Sequence, residues 1–230
     1  MVYACPILPP TRNGSSVSNV DDSEAKSVKG YQQTLVLDDP SDTAPGWVMV
    51  IAANFSAAQK AAKKIKVSWQ AGDAASVSEA DFMAEGRKLI KDPSQGAILD
   101  TGNSDTASVF EQAASTIEHE YITHTVLHAQ MEPLNALAFL NSDKVWEVHS
   151  GCQWQSLTLP ALAAALEVTE KDIVIRSYML GGGFGRRLNG DYTVPAALAS
   201  KALGGKPVKM VLLRPEDFQF DSPRSSSVQL

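Results

Sequence analysis

The chain has 230 residues, 44% of them hydrophobic and 20% charged, which is ordinary for a globular protein and excludes disorder throughout. Its length suits one large or two small domains. The formal net charge is −6, and we expect no nucleic-acid partner because an acidic surface repels a duplex.

The two cysteines, Cys5 and Cys152, form neither a Cys-x-x-Cys pair nor a zinc spacing. Cys152 is interpreted as a small buried hydrophobic residue. The first residues lack the basic segment and apolar core of a signal peptide, and no apolar run is long enough to span a membrane. We therefore expect no export signal or transmembrane segment in this chain, assign it no compartment, and expect both ends to be cut from a longer protein.

Residues 1–72 predict a small α/β unit. Apolar and β-branched runs indicate strands at residues 2–7, 34–37, 47–52 and 66–69. Residues 57–65 place alanines on one face and lysines on the other, which predicts a helix with Ser56 as its N-cap.

Residues 73–112 are interpreted as a connector. Ser78 begins a predicted helix that runs to about residue 90, and residues 92–105 are rich in turn-forming Asp, Pro, Ser, Gly and Asn. A domain boundary is predicted in this segment.

From residue 113 onwards the pattern predicts an α+β domain. β-rich runs indicate strands at residues 116–127, 135–140, 145–149, 172–178 and 207–213. Helical patterns occur at residues 158–167 and 191–203, and the second ends at two glycines.

Residues 180–187, Leu-Gly-Gly-Gly-Phe-Gly-Arg-Arg, lie between a predicted strand and a predicted helix. Glycine-rich backbone before a helix exposes N–H groups that attract anions. The pattern is not a P-loop, since no Gly-Lys-Ser/Thr follows, and not a dinucleotide fingerprint, since Arg186 stands where a small residue is needed. We predict a loop that binds a small anionic ligand, and a glycine-rich turn without a function is the alternative.

Residue spacing alone predicts no metal site and no catalytic group. His119 and His124 would diverge on a helix, and His124 and His128 have no third ligand near them in the sequence. Gln153 lies where a strand ends and a helix is about to begin, and its amide offers a donor and an acceptor that orient an oxo or carbonyl group. The alternative is that Gln153 caps the helix predicted near Thr158.

Four motifs in this order resemble the molybdopterin-binding subunit of xanthine dehydrogenase-type molybdenum hydroxylases. They are His-Ala-Gln-Met-Glu-Pro at 128–133, Val-His-Ser-Gly-Cys-Gln at 148–153, Gly-Gly-Gly-Phe-Gly at 181–185, and Pro-Val-Lys-Met-Val-Leu-Leu-Arg-Pro-Glu-Asp at 207–217. Residues 185–192 and 218–224 are most similar to the isoquinoline 1-oxidoreductase β subunit and to membrane-associated aldehyde dehydrogenases. The resemblance implies an α+β fold with three parts: a small a/b hammerhead-like domain at 1–72, the connector at 73–112, and the first part of a mixed-sheet molybdopterin-binding domain at 113–230.

The resemblance also implies the site residues. Gln153 corresponds to the glutamine that hydrogen-bonds an oxo ligand of the molybdenum, and the loop residues correspond to backbone that lies against the metal and the pterin. The implied cofactor-binding residues are Gln153, Gly182, Gly183, Phe184, Gly185 and Arg186. No residue of the chain is expected to bind the metal directly. The family's glutamate base would lie beyond residue 230, so we expect no catalytic residue here and no activity from this chain alone.

The implied activity is oxidation of aldehydes or aromatic N-heterocycles, which are hydroxylated with an oxygen atom from water. Leu188 stands where purine-oxidising members have a glutamate, so we expect Leu188 to border a pocket for apolar substrates. The implied cofactor is molybdopterin cytosine dinucleotide with molybdenum, and the partner is a separate iron–sulfur subunit that carries [2Fe–2S] clusters. The parent protein is expected in the periplasm or at a membrane, attached peripherally through other subunits. A non-catalytic binding or assembly module and an unrelated nucleotide-binding enzyme are the alternatives.

Overall fold

The computed structural model describes residues 1–92, 94–96, 105–222 and 226–229. Backbone contacts divide the chain into two compact units. The first unit comprises residues 1–75 and 128–222, and the second comprises residues 76–127 with the described residues after 222.

The first unit is built on a seven-stranded mixed sheet with the strand order β3-β4-β1-β10-β7-β8-β9. The β1–β10 and β8–β9 pairs are parallel, and the other neighbours are antiparallel. Its strands are β1 (Val2–Ile7), β3 (Tyr31–Val36), β4 (Val48–Ala52), β7 (Asn135–Leu140), β8 (Trp146–Ser150), β9 (Ile173–Ser177) and β10 (Val208–Val211). The predicted strands at these places are confirmed, although β3 begins three residues before its predicted start.

Two helices cover one face of this sheet where β10, β7, β8 and β9 lie. They are α4 (Gln155–Leu166) and α5 (Val194–Ala202). Every residue of α5 from Val194 to Ser200 is buried, because the helix is rich in alanine and packs closely on alternate residues of the strands, such as Ala136 and Met210. Helix α4 begins three residues earlier than the sequence pattern predicts.

A third helix, α1 (Phe55–Ala62), packs on β1 and β4 through its alanines. The prediction of Ser56 as its N-cap is wrong. Asn54 has the extended backbone of a cap, and its Oδ1 accepts a hydrogen bond of 2.9 Å from the N–H of Ala57. Asparagine is as good a cap as serine, and it takes the position because the chain leaves β4 only two residues before.

The first unit also contains elements that the sequence pattern did not predict. Strand β2 (Ser16–Asp21) pairs antiparallel with the expected strand β5 (Lys66–Gln70) in a separate two-stranded sheet. Helix α6 (Arg214–Gln219) follows β10 directly and carries two carboxylates in its first turn. Both elements are short, which limits the periodicity that a sequence can show.

The second unit contains helices α2 (Glu79–Leu89) and α3 (Thr106–Glu111) and strands β6 (Tyr121–Thr123) and β11 (Ser227–Gln229), which pair with each other. Ser78 is the N-cap of helix α2, at the predicted start of the helix, and it forms a reciprocal capping box with Asp81. The predicted strand at 116–127 is wrong in its length, since only Tyr121–Thr123 form a strand and Val126 forms an isolated bridge. Their side chains are exposed, so this segment buries no face that would extend the pairing.

The observed fold is α+β with a mixed sheet, as the sequence predicts. Strands from residues 2–52 and from residues 135–211 share that sheet through the β1–β10 pair. The predicted boundaries at residues 72 and 112, and the hammerhead-like identity of the first part, stay predictions. Within the described residues, no helix combines the length and apolar character needed to cross a membrane.

Candidate functional site

The glycine loop, residues 180–187, follows β9 and is held at its start by Glu132. Glu132 Oε2 accepts a hydrogen bond of 2.9 Å from the N–H of Gly181, and the N–H of Glu132 donates to Gly181 O at 3.0 Å. A Cβ atom at residue 181 would lie 2.5 Å from the Cβ of Glu132. This close approach of two backbones requires glycine at the first loop position.

The middle of the loop has a left-handed backbone. Gly182 has φ +96°, Phe184 has φ +54° and Gly185 has φ +105°. Positive φ is uncommon for an aromatic residue and is retained where surrounding contacts enforce it. The ring of Phe184 is 66% exposed, so the loop presents an apolar ring at the surface at some cost in backbone conformation.

Gln153 is bound to the far side of the same loop. Its side-chain Oε1 accepts hydrogen bonds from the backbone N–H groups of Gly185 at 3.1 Å and Arg187 at 3.2 Å. The backbone N–H of Gln153 donates to Arg187 O at 2.9 Å. These donors fix the amide orientation, because only the oxygen can accept them. In the part of the chain that the structure describes, Gln153 Nε2 has no hydrogen-bond partner and remains a free donor. The capping alternative is wrong, since α4 begins after Trp154 without a side-chain cap.

Gly183 allows Gln153 to lie against the loop. A Cβ atom at residue 183 would come within 2.3 Å of Gln153 Oε1. No other residue type fits there unless the amide moves. The structure therefore brings Gln153 and the loop residues together, and their role in cofactor binding, which the resemblance implies, stays a prediction.

Arg186 is directed into the protein, below the loop. Its side chain is fully buried, with Nη1 at 2.7 Å from Asp191 Oδ1 and Nε at 3.2 Å from Asp221 Oδ1. Its Nη2 donates to Phe220 O at 3.0 Å, and Arg12 also pairs with Asp191. The Arg186 guanidinium is therefore occupied by protein partners in this structure. The predicted role of Arg186 in cofactor binding stays a prediction.

Arg187 is buried beside Arg186 and connects the loop to two other segments. Its guanidinium donates to Gly151 O at 3.3 Å, to Glu132 O at 2.7 Å and to Glu132 Oε2 at 3.1 Å. Burial alone would raise the pKa of Glu132. The hydrogen bonds from the Gly181 N–H and the Asn135 side chain, together with the charge of Arg187, outweigh burial and hold the pKa of Glu132 below its usual value. Tyr192 Oη donates to Gly151 O at 2.5 Å, and burial raises the pKa of its hydroxyl to about 12.

Arg186 and Arg187, with their carboxylate and carbonyl partners, form a buried polar layer below the loop, and His128 and Gln130 extend it. The sequence did not predict either of these two residues as part of a site. His128 Nδ1 lies 2.8 Å from Asp221 Oδ1, and Gln130 Nε2 donates to both oxygens of Asp217 at 3.0 Å. Burial raises the pKa of Asp217. The signal that could have found these residues is the charged and amide side chains at 128–133 and 217–221 within otherwise apolar surroundings.

Leu188 lies close to the glycine loop, and its predicted place in a substrate pocket stays a prediction. Leu188 is 38% exposed and lies near Gly185, so it borders the outer surface of the loop. Cys152 is buried, as predicted, with Sγ 3.1 Å from Thr158 Oγ1. His124 contacts Glu79 at 3.2 Å in the second unit, and the described residues contain no cluster of three or more metal-ligating side chains.

Comparisons with known proteins identify the family of this chain. A family model described as a molybdopterin cofactor-binding domain matches residues 89–229. A protein of Gluconacetobacter polyoxogenes named membrane-bound aldehyde dehydrogenase [pyrroloquinoline-quinone] is 54% identical over the whole chain, which covers 29% of that protein. The isoquinoline 1-oxidoreductase subunit beta of Brevundimonas diminuta is 28% identical over 95% of the chain and 28% of its own length.

A solved structure has the same fold. The aldehyde oxidoreductase of Desulfovibrio gigas superposes with a TM-score of 0.72 at 18% identity, over 97% of this chain and 28% of that one. The chain therefore spans less than a third of the length of the curated relatives it matches.

Proposed function

We propose, because this chain belongs to the molybdopterin cofactor-binding domain family, that its glycine loop and Gln153 form one wall of the cofactor site in a molybdenum-dependent oxidoreductase. The observation that carries this proposal is the free amide donor of Gln153, fixed beside the loop by two backbone N–H groups. An oriented donor with no partner suits the oxo group of a metal-bound cofactor.

The loop backbone fits an anionic cofactor. The N–H groups of Gly182, Gly183 and Phe184 have no hydrogen-bond partner among the described residues. Successive free N–H groups in a loop with left-handed residues attract anionic oxygen or sulfur atoms. A Cβ atom at residue 182 would come within 3.2 Å of the Phe184 ring, and one at residue 183 within 2.3 Å of Gln153 Oε1, so this loop conformation requires glycine at both positions.

When bound, the cofactor would supply the redox chemistry of hydroxylation. The residues of this chain would bind and orient it. Gln153 would donate one hydrogen bond, and Phe184 would shield one side of the site from water with its exposed ring. Arg186 would support the loop from below through its buried ion pairs rather than contact the ligand.

Leu188 would border the substrate pocket and favour aldehydes or aromatic N-heterocycles over purines. Its exposure beside the loop supports this role. Replacing Leu188 with Glu in the complete enzyme should shift preference away from quinoline-type substrates, because an unpaired carboxylate against an apolar ring costs several kcal/mol. An unchanged ratio of quinoline-type to purine-type turnover would remove Leu188 from the pocket.

The cofactor form and the partners belong to the same proposal. We expect molybdopterin cytosine dinucleotide, a separate iron–sulfur subunit with [2Fe–2S] clusters, and peripheral attachment of a periplasmic or membrane-associated parent through other subunits. Because the chain spans 29% of the aldehyde dehydrogenase it matches, activity is expected from a complete enzyme and not from these 230 residues alone.

A second candidate cofactor is pyrroloquinoline quinone, because it is part of the name of the Gluconacetobacter polyoxogenes aldehyde dehydrogenase that is 54% identical to this chain. Elemental analysis and cofactor extraction from the complete enzyme separate the two. Molybdenum near one atom per chain with a pterin in the extract is the expected result. A quinone in the extract with no molybdenum would overturn the proposal.

A further inference from the structure

A pocket of about 300 Å³ lies beside the glycine loop on the sheet face opposite α4 and α5. Leu137, His149 and Lys209 contribute to it from three neighbouring strands, where Leu137 is the register partner of both other residues. These residues alternate with the buried ones that face the helices, so they point to the other side. Tyr178 and Met179 add an aromatic ring and a thioether to the wall.

Lys209 is held in a fixed position in this pocket. Its Nζ donates to Asn135 Oδ1 at 2.7 Å, and Asn135 Nδ2 donates to Glu132 Oε1 at 3.0 Å. An ammonium has three N–H donors, so two remain for a ligand. The pocket has room for a molecule of a few carbon atoms in front of them.

Lys209 differs from the other lysines in the ranges that the structure describes. Those lysines are exposed, except for Lys201, whose Nζ pairs with Glu167 at 2.6 Å. Lys209 is half-buried, and no carboxylate lies within 4.0 Å of its Nζ among the described residues. Burial lowers the pKa of Lys209, and the negative charge of Glu132 acts in the opposite direction. A half-desolvated lysine in a pocket is the setting in which an amine becomes a nucleophile.

We propose that this pocket is a carbonyl-capture site in which Lys209 forms a reversible imine with a small apolar aldehyde. The neutral amine nitrogen adds to the carbonyl carbon, the nitrogen gives up one proton, and the carbonyl oxygen takes up one proton, which gives a neutral carbinolamine. Loss of water then leaves the carbon–nitrogen double bond. One water is released, and no oxidant or reductant is consumed.

Three contacts suit the pocket to this reaction. Leu137 and Met179 provide an apolar wall for the hydrocarbon part of the aldehyde. Tyr178 Oη, 2.9 Å from His149 Nδ1, and the Glu132 carboxylate line the same pocket and can hold the protons that move during loss of water. Glu132 also binds the N–H of Gly181, so a captured aldehyde would lie next to the glycine loop.

The test uses the chain with no cofactor, so its failure is separate from failure of the proposed oxidoreductase function. The chain is incubated near neutral pH with limiting benzaldehyde and sodium cyanoborohydride, which reduces an imine to a stable benzylamine. Peptide mass spectrometry then locates the benzyl groups. We expect Lys209 to be labelled faster than the exposed Lys206, because its amine is held in the pocket and its lowered pKa raises the fraction of neutral amine.

Lys209→Arg should abolish that site and leave labelling elsewhere unchanged, and Lys206→Arg is the matched control three residues away that should leave Lys209 labelling intact. Circular dichroism verifies that both variants are folded. If Lys209 is labelled no faster than Lys206 in the unchanged chain, labelling depends only on the exposure of each lysine. That result would overturn the proposal, whatever the two variants show.

Discussion

Two arginine–carboxylate pairs of equal length have very different surroundings in the two units. In the first unit, Arg186 and Asp191 are 2.7 Å apart and nearly inaccessible to solvent. In the second unit, Arg87 and Glu120 are also 2.7 Å apart, but their side chains are 45% and 34% exposed. The length of an ion pair therefore says little about its contribution to stability, and the surroundings decide it.

The difference follows from what each pair supports. Arg87 and Glu120 connect α2 to the segment before β6 at the surface, where water screens both charges. Arg186 shares a buried layer with Asp191, Asp221 and the carbonyl of Phe220, and the glycine loop lies directly above it. Removing one member of this layer leaves charges with no solvent to compensate them.

The largest effect is expected from Arg186→Met, which keeps the side-chain volume and removes the charge. Breaking a buried pair destabilises a protein by about 3–5 kcal/mol. All four tryptophans of the chain lie in the first unit, so their fluorescence during urea unfolding reports on this unit. We expect a midpoint lowered accordingly, or no folded signal at all.

Arg87→Met is the matched control in the second unit. For this comparison, urea unfolding of both variants is also followed by far-UV circular dichroism, which reports on both units. The same chemical change at an exposed pair should leave that midpoint nearly unchanged, since the screened pair contributes little. Equal shifts for the two variants would contradict the comparison.

The next effect concerns the fit between Gly183 and Gln153. Gly183→Ala places a methyl group 2.3 Å from Gln153 Oε1, and such overpacking typically costs about 1–3 kcal/mol. Adding Gln153→Ala removes the clashing group. The double variant should therefore be more stable than Gly183→Ala alone, and urea unfolding of all four combinations measures this coupling. Additive losses would show that the loop and Gln153 are not in contact.

An effect that is small at any one pH step, and accumulates over a pH range, is expected from buried acids of the first unit. Burial raises the pKa of the Cys5 thiol from 9.0 to about 12. A group whose pKa is raised in the folded state stabilises fully below its unfolded pKa and less as the pH rises towards the folded value. Between about pH 9 and 12 the stability should fall by roughly 1.4 kcal/mol per pH unit from this group.

Tyr192, with its pKa raised to about 12, adds to this slope above pH 10. Cys5→Ala should remove the part of the slope that begins near pH 9. The slope is compared rather than the absolute stability, because the substitution also leaves a small cavity. An unchanged slope would mean that the thiol titrates normally.

Local patterns predicted most of the main sheet and failed where pairing depended on distant residues. The strands at Val2–Ile7, Asn135–Leu140 and Ile173–Ser177 are apolar runs with a face to bury, and they formed as predicted. Residues 116–127 have similar β propensity but bury no face, so only Tyr121–Thr123 forms a strand.

The candidate site shows the same division. The glycine loop and Gln153 could be found from the sequence, because their chemistry is visible in short motifs. The pairings within the buried layer could not be found, since Arg12, His128 and Asp221 come from distant parts of the chain and meet only in the folded unit. A sequence shows that Arg186 is charged, but not that its side chain is buried against Asp191, Asp221 and the carbonyl of Phe220.

The central claim, that Gln153 donates a hydrogen bond to the cofactor, is tested most directly by turnover per bound molybdenum in the complete enzyme. Gln153→Ala loses both the donor and the acceptor that holds Gly185 and Arg187, whereas Gln153→Glu keeps an acceptor for them and loses the neutral donor. A hydrogen bond to a charged acceptor contributes about 1.5–3 kcal/mol, so both variants should lose roughly 10- to 100-fold in turnover per molybdenum while pterin content stays nearly constant. Full turnover per molybdenum in Gln153→Glu, with a loss only in Gln153→Ala, would show that Gln153 holds the loop and does not contact the cofactor.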